Sequence, residues 1–381
     1  MNVLTVISSL ELGGIEKTLL KCLPYFEKED VSISICCYSK KGVLKEEFEE
    51  RSSGIFYIKK SIIPFYEAFQ IYTLVRQNKI DVVHSRFGFT SGIFALFFWV
   101  FRIPFFVSIH SQRSFFLQNK PNIPFRGIIR FIYLGIHKWL TIFFSKKIIG
   151  HSYSNLNAFY KRWKTWKKDK FIMIYNGIEF GDLEENDSLP LSLMEFLNDS
   201  VKTFIHVGNF RIPKNHKYLI SAFKLLGPIE NRYKLILIGG GGNKSEIEGL
   251  VEKEGLNDAV YFVGTDTKIG KYLKISNVFL FPSLDEGLGN VLLEAQYMNL
   301  PICASDIPPH YESTFDYYHK FFFDPKNELD ARDKIKKLIL ESDLDKQKET
   351  LNKAKMFAIN NFSIQTMAGK LAEVYHKSYK G

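Results

Sequence analysis

Two glutamates, Glu286 and Glu294, stand eight residues apart in the segment FPSLDEGLGNVLLEAQYMNLPICASD, with glycines at 287 and 289 between them. The segment reads as a strand ending at Phe281, a loop, and a helix that starts near Asn290, where the Asn side chain can cap it. Backbone amides of Gly289, Asn290, Val291 and Leu292 would then converge on an anion, which the helix dipole also favours. Carboxylates accept hydrogen bonds from vicinal hydroxyls, so a pair flanking an anion site could grip a sugar on each side of a diphosphate. In a second segment, VGNFRIPKNHKYLISAF, Gly208 opens a loop after a strand, and Arg211 and Lys214 precede the next helix. Cations there offset the charge that develops on a departing diphosphate, with no metal required. His216, at the start of that helix, suits packing or capping better than ligation. A third segment, LELGGIE, sets Gly13 and Gly14 between the first strand and the first helix, where backbone can approach a phosphate or sugar closely. It lacks the GxGxxG fingerprint, which disfavours a nicotinamide dinucleotide. Singly, each segment also has an ordinary reading: a solvated acid pair, an exposed basic loop, a tight turn.

The elements that must position these residues follow a regular rhythm. Strand-like runs fall at Val3–Ser8, Val31–Cys37, Ile55–Ile58, Asp81–His84, Phe105–His110, Lys147–Gly150 and Phe171–Ile174, with helix-length segments such as Glu16–Phe26 and Phe65–Gln77 between them. A second series runs through Thr203–Val207, Tyr233–Ile238, Val260–Val263, Val278–Phe281 and Pro301–Ala304, and from Glu328 onward the pattern is helical. Alternation of this kind predicts an α/β protein of two Rossmann-like, doubly wound parallel-sheet domains facing across a cleft. The polar stretch Gly181–Asn198 reads as the linker. Domains are expected at 1–185 and 186–362, with a helix over about 363–381 packing back on the first.

The combination resembles the glycosyltransferases of family 4. It consists of a Gly-Gly-x-Glu turn after the first strand, a Gly-x5-Lys-Asn loop opening the second half, and an E-x7-E element followed by LP and SD. DVVHS at Asp81–Ser85 and YNGIE at Tyr175–Glu179 add to the match, which runs from Val3 to Tyr375. The resemblance implies a retaining enzyme of the GT-B fold that uses a nucleotide-diphosphate sugar, UDP rather than GDP, with no metal or other cofactor. It also implies roles. Glu286 would touch hydroxyls of the donor sugar, Glu294 the ribose, and Lys214 the diphosphate. Gly13 and Gly14 would lie near the phosphates and His110 beside the donor sugar. Gly208 and the backbone of Leu288, Gly289, Asn290 and Val291 would cradle phosphate and sugar. The family carries Arg directly after Gly208. Here that place holds Asn209, and Arg211 is the cation that could swing into the role. Retention would proceed by front-face displacement, so leaving-group stabilisation by Lys214, Arg211 and the helix amides carries the rate. The glutamates are not the facing acid–base pair of a hydrolase.

Charge is uneven. Fourteen Lys and Arg and no Asp or Glu lie between Asp81 and Asp169, so the remainder of the chain carries −4 of the net +10. Aromatic residues are interleaved through 86–168, and KRWKTWKKDK at Lys161–Lys170 is the densest local cluster. The expected partner is an anionic membrane surface at the cytoplasmic inner face, in keeping with a lipid-linked or other glycan acceptor in bacterial surface polysaccharide assembly. Nucleic acid is not expected, because no recognition motif accompanies the cations. The run Ile93–Phe101 reads as core. The N-terminus reads as a buried strand rather than a signal peptide, and Phe87–Phe101 is too short to span a bilayer. Cys22, Cys36, Cys37 and Cys303 show no metal spacing and read as free thiols of a reducing compartment. Two other functions fit the scaffold: a sugar-nucleotide epimerase or hydrolase, and a non-catalytic anionic-lipid binder.

Overall fold

The computed structural model describes residues 1–11, 13–110, 124–161, 165, 168–185, 187–341 and 344–379. The chain forms two compact units, Met1–Ile178 with Ser363–Gly381, and Glu179–Phe362.

The first unit begins with β1 (Asn2–Val6), α1 (Gly14–Lys28), β2 (Ser32–Cys37), α2 (Lys45–Arg51), β3 (Ile55–Tyr57) and α3 (Pro64–Gln77). It continues through β4 (Val82–Ser85), α4 (Gly92–Val100), β5 (Phe105–Ile109), α5 (Pro124–Phe144), β6 (Lys147–Gly150), α6 (Tyr153–Phe159) and β7 (Phe171–Met173). Its seven strands are all parallel, in the order β3-β2-β1-β4-β5-β6-β7. The strands are apolar on both faces because helices cover both faces of a parallel sheet. Successive residues therefore enter different cores. Val3 and Cys37 join one cluster, while Leu4 and Cys36 join the other. All four cysteines are buried free thiols. The last helix, written α15 (Ile364–Tyr379), belongs to this unit and lays Ile364, Met367, Leu371 and Tyr375 into the core beside α1.

The second unit runs α7 (Leu191–Leu197), β8 (Lys202–Val207), α8 (His216–Lys224), β9 (Tyr233–Ile238), α9 (Lys244–Lys253), β10 (Val260–Gly264) and α10 (Gly270–Lys274). Then follow β11 (Val278–Phe281), α11 (Asn290–Tyr297), β12 (Ile302–Ala304), α12 (Pro308–Ser313), α13 (Glu328–Leu340) and α14 (Leu344–Phe362). Its five strands are parallel, in the order β10-β9-β8-β11-β12.

Three expectations are corrected. The stretch Gly181–Asn198 is not a free linker: it contains α7, and its start is packed into the second unit. Phe180 stacks on Tyr297 at 4.6 Å between centroids, and Gly270 passes so close that a β-carbon on it would lie 2.0 Å from the Leu183 carbonyl. Buried Phe180 and Leu183 anchor what composition alone marks as polar. In α4, Phe94, Ala95 and Phe98 are core, but Trp99, Val100 and the following Phe101 are exposed. A helix lying on a sheet buries only one stripe. Finally, the helix dipeptide at Asn290 is capped differently from the sequence reading. Gly289 is the N-cap, at φ +78, and Asn290 is the first helical residue with its side chain exposed.

Candidate active site

Each sheet has one place where the strand order reverses. In the first it lies between β1 and β4, and in the second between β8 and β11. Open α/β sheets bind ligands at the carboxyl ends of strands at such points, because the loops diverge there and leave a crevice.

In the second unit the loops after β8 and β11 meet at that point and are tied by three contacts. Lys214 Nζ donates to Glu286 Oε1 at 2.5 Å, Leu284 N donates to the Pro213 carbonyl at 2.7 Å, and Asn215 Nδ2 donates to the Pro282 carbonyl at 3.2 Å. Asn215 also donates to the Pro325 carbonyl at 3.0 Å while holding φ +57, a left-handed conformation that Asn tolerates better than most residues. Lys214 lies over the Phe281 ring, 4.9 Å from its centroid. Gly208 must be small here: a β-carbon on it would sit 3.3 Å from Lys214 Cδ and 3.0 Å from His206 Nε2. Behind it, Gly239 at φ +152 presses against Gly208, where a β-carbon would lie 2.1 Å from the Gly208 carbonyl oxygen.

Helix α11 starts beside these loops without a side-chain cap, so the amides of Asn290 and Val291 are left for another acceptor. Leu288 and Gly289 are buried and position those amides. His310 packs under the same turn, its Cδ2 3.7 Å from where a Gly289 β-carbon would be. Its Nδ1 is engaged with the Ser305 carbonyl at 2.7 Å, and its buried Nε2 has no partner. Burial, and to a smaller extent the Lys214 charge, lowers His310 to about 4, so it is neutral near pH 7. His216 stacks on Phe210 at 4.2 Å and is likewise buried, as expected of a packing residue. Glu294, on α11, has no hydrogen-bond partner among the described residues, and burial raises its carboxyl to about 7. A half-buried, unpaired carboxyl gains most from hydroxyl donors. Arg211 stands exposed at the outer end of the β8 loop and enters no ion pair among the described residues.

In the first unit Gly13 is the N-cap of α1 and Gly14 its first residue. The Glu16 carboxylate folds back over Gly13, with Oε2 2.2 Å from the position of a Gly13 β-carbon, whereas the space beside Gly14 is open. His110 follows β5 and stacks on His151 at 4.3 Å with the rings 20° apart. Its Nε2 is buried without a partner, and burial first, then the neighbouring His151 and Arg86, holds the ring neutral. A buried chain runs alongside. Tyr375 O–H meets His84 Nδ1 at 2.5 Å, His84 Nε2 meets Ser108 Oγ at 2.9 Å, and Ser108 Oγ meets His151 Nε2 at 3.1 Å.

The second unit thus gathers Lys214, Glu286, Gly208, Leu288, Gly289, Asn290, Val291 and Glu294 around one switch point. The first holds Gly13, Gly14 and His110 at the carboxyl ends of its own strands. Asn215 and His310 are positioning residues that sequence reasoning passed over. An Asn directly before a helix start was a visible signal for the first, whereas nothing marked the second. Among the described residues no three His, Cys, Asp or Glu side chains group as metal ligands.

The family described as "Glycosyl transferases group 1" matches residues 195–356, and "Glycosyltransferase Family 4" matches residues 12–181. The capsular polysaccharide biosynthesis glycosyltransferase CapH of Staphylococcus aureus is 27% identical over 379 residues, covering 94% of this chain and 96% of its own length. A glycosyltransferase structure from Rickettsia africae superposes with a TM-score of 0.75 at 20% identity, covering 100% of this chain and 99% of that one. Anabaena HepE, solved in complex with UDP, superposes with a TM-score of 0.73 at 17% identity, covering 99% and 100%.

Proposed function

This chain belongs to the family 4, group 1 glycosyltransferases of GT-B fold, and on that premise we propose that it is a retaining enzyme moving a hexose-type sugar from a UDP-sugar to a lipid-linked glycan in bacterial surface polysaccharide assembly. The observation that carries the donor half is the Lys214–Glu286 contact beside the uncapped N-terminus of α11. It joins a cation for the diphosphate to an acceptor for sugar hydroxyls, with Glu294, which has no hydrogen-bond partner among the described residues, for the ribose. The UDP assignment draws on the HepE complex, and the polysaccharide assignment on the likeness to CapH.

In the proposed reaction the acceptor hydroxyl oxygen bonds to the anomeric carbon on the face from which UDP departs. The bond from that carbon to the phosphate oxygen breaks, and the hydroxyl proton passes to the departing phosphate. Lys214 and the α11 amides stabilise the charge gathering there, and Arg211 lies on the same loop to assist. Removing one such group costs about 10²–10³ in turnover. Lys214→Ala is expected to lower kcat on that scale while donor affinity falls much less. Lost donor affinity with intact turnover at saturation would make Lys214 a binding residue only. The wider test is a panel of UDP- and GDP-sugars assayed for hydrolysis and for transfer to membrane extracts. Transfer from no UDP-sugar would sink the donor assignment.

A membrane-facing role has its own observation. Exposed Phe65, Tyr66 and Phe69 on α3, Trp99 at the end of α4, and Tyr133 and Trp139 on α5 lie on three helices packed in series. Lys138 sits over the Trp139 ring, and no described acidic residue interrupts β4 to β6. A band of apolar and aromatic side chains with cations at its rim suits the boundary of an anionic bilayer. Half of the Lys161–Lys170 cluster, residues 162–164, 166 and 167, lies outside the described residues. Among the described residues no helix is long and apolar enough to cross a membrane. Equal co-sedimentation with neutral and anionic vesicles would remove the electrostatic part of this reading.

A further inference from the structure

Four buried polar side chains of the first unit can share their protons in only one way. The Ile174 carbonyl, just after β7, can only accept, so His151 donates to it from Nδ1 at 2.7 Å. Burial first, then the Arg86 charge, lowers His151 to about 3, so near pH 7 the ring is neutral and its Nε2 is a lone pair. That lone pair accepts from the Ser108 hydroxyl at 3.1 Å. Ser108 has then spent its hydrogen, so its Oγ accepts from His84 Nε2 at 2.9 Å. Burial holds His84 neutral as well, which leaves its Nδ1 to accept from the Tyr375 hydroxyl at 2.5 Å. Every hydrogen points one way, from Tyr375 to Ile174.

Folding gives no reason for such a chain. All four side chains are at most 1% exposed, and apolar groups of the same shape in their places would cost little. What the chain does is fix a ring. Its members come from β4, from β5, from the residue after β6 and from α15, where Tyr375 lies 291 residues beyond His84. The last of them, His151, stacks on His110 with centroids 4.3 Å apart and planes at 20°. Held at both nitrogens, His151 can neither flip nor turn, so the surface on which His110 rests is rigid. Protonating His151 would turn Nε2 into a donor and strand the Ser108 hydrogen, so the chain also keeps the ring beside His110 uncharged. Arg86, a charged group facing His84, His110 and His151, opposes their protonation too. His110 itself offers a buried Nε2 that has no partner among the described residues.

We propose that His151, Ser108, His84 and Tyr375 are positioning residues of the transfer reaction, a one-way hydrogen-bond chain that starts on the C-terminal helix and sets the orientation of His110. The proposal deepens the reading of His110 as the group beside the donor sugar and rests on it. Every contact in the chain lies within the first unit. The effect of a break depends on where it falls. Ser108 links the two rings, so losing its hydroxyl releases His151 Nε2 directly. Tyr375 is one ring further away, so losing its hydroxyl loosens His84 and reaches His110 weakened.

The experiment is a double-mutant cycle of Ser108→Ala and His110→Ala in the full chain, read as kcat and KM with the UDP-sugar that wild type turns over fastest. Ser108→Ala is expected to lower kcat about tenfold with KM nearly unchanged. In the His110→Ala background the same substitution should change kcat by less than about twofold, because the ring it positions is gone. Tyr375→Phe should lower kcat by less than Ser108→Ala does, and should add nothing once Ser108→Ala has cut the chain. Each variant strands a buried polar atom and lowers the melting temperature, so rates are compared well below every transition. Should Ser108→Ala not fold, Tyr375→Phe runs the same cycle against His110→Ala. Imidazole nitrogen spectra of unliganded wild type give a readout besides activity: His151 as the Nδ1–H tautomer and His84 as the Nε2–H tautomer. The opposite tautomer at either ring, unchanged kcat in both chain variants, additive effects in the cycle, or wild-type kcat in His110→Ala overturns the proposal. Wild type that turns over no UDP-sugar overturns the proposed function itself, whereas turnover that ignores the chain variants overturns this inference alone.

Discussion

Glu294 carries a carboxyl that burial raises from 4.5 to about 7. Between those values the folded chain holds a proton that the unfolded chain has released. This contribution to stability is complete below pH 4.5 and is lost as pH rises through 7. The shift corresponds to about 3 kcal/mol. Glu294→Gln should therefore be more stable than wild type at pH 8 and indistinguishable at pH 4, as read by denaturant midpoints, and should bind UDP more weakly at both. Equal pH dependence in the two proteins would show that Glu294 is not the titrating group. Asn215 poses the opposite case, since all its effects are structural. Its two carbonyl contacts and its left-handed backbone fix the loop that carries Lys214. Asn215→Ala should lower stability by about 1–3 kcal/mol and reduce kcat with it, because Lys214 then loses its fixed approach to Glu286. Stability loss with unchanged kcat would detach Lys214 positioning from this residue.

At the scale of elements, α5 shows how a helix can be amphipathic towards two different media. Its His137 packs against the turn after β4, donating from Nδ1 to the Thr90 carbonyl at 2.9 Å, while Ile132, Tyr133, Ile136 and Trp139 stay exposed. Exposed apolar groups in series on neighbouring helices mark an interaction face. Because these side chains are exposed, Trp139→Glu should leave the melting temperature nearly unchanged while reducing co-sedimentation with anionic vesicles several-fold. A fall in melting temperature without loss of vesicle binding would make the band a packing surface. The strands were easier to read from sequence than this face. All twelve apolar runs became strands within a residue or two of the expected ends, because a strand buried on both sides must be apolar throughout. The helix-facing side of α4 was read as wholly core because a run of apolar residues does not say which medium it faces. The segment after Gly181 was read as linker because Phe180 and Leu183 bury themselves against residues far along the chain.

At the scale of the molecule, six imidazoles, those of His84, His110, His151, His206, His216 and His310, are buried and held below their ordinary range chiefly by desolvation. A depressed imidazole leaves stability unaffected above about 6.5 and removes it as pH falls towards the folded values, about 4 for His216 and His310 and about 3 for His151. Thermal unfolding should therefore shift steeply downward between pH 6 and pH 4, with net proton uptake on unfolding measurable by calorimetry in buffers of different ionisation enthalpy. A flat profile would mean these rings are accessible to water. The sequence alone determined the alternation of elements, the two glycine loops and the spacing that sets Glu286 and Glu294 on either side of a helix start. Each of these depends on neighbours within a few residues. Tertiary structure alone decided which groups lost their water: that Lys214 reaches Glu286, that Glu294 has no hydrogen-bond partner among the described residues, and that Arg86 is enclosed where β4 meets β1. Burial and charge pairing depend on chain segments tens to hundreds of residues away, and no local pattern records them.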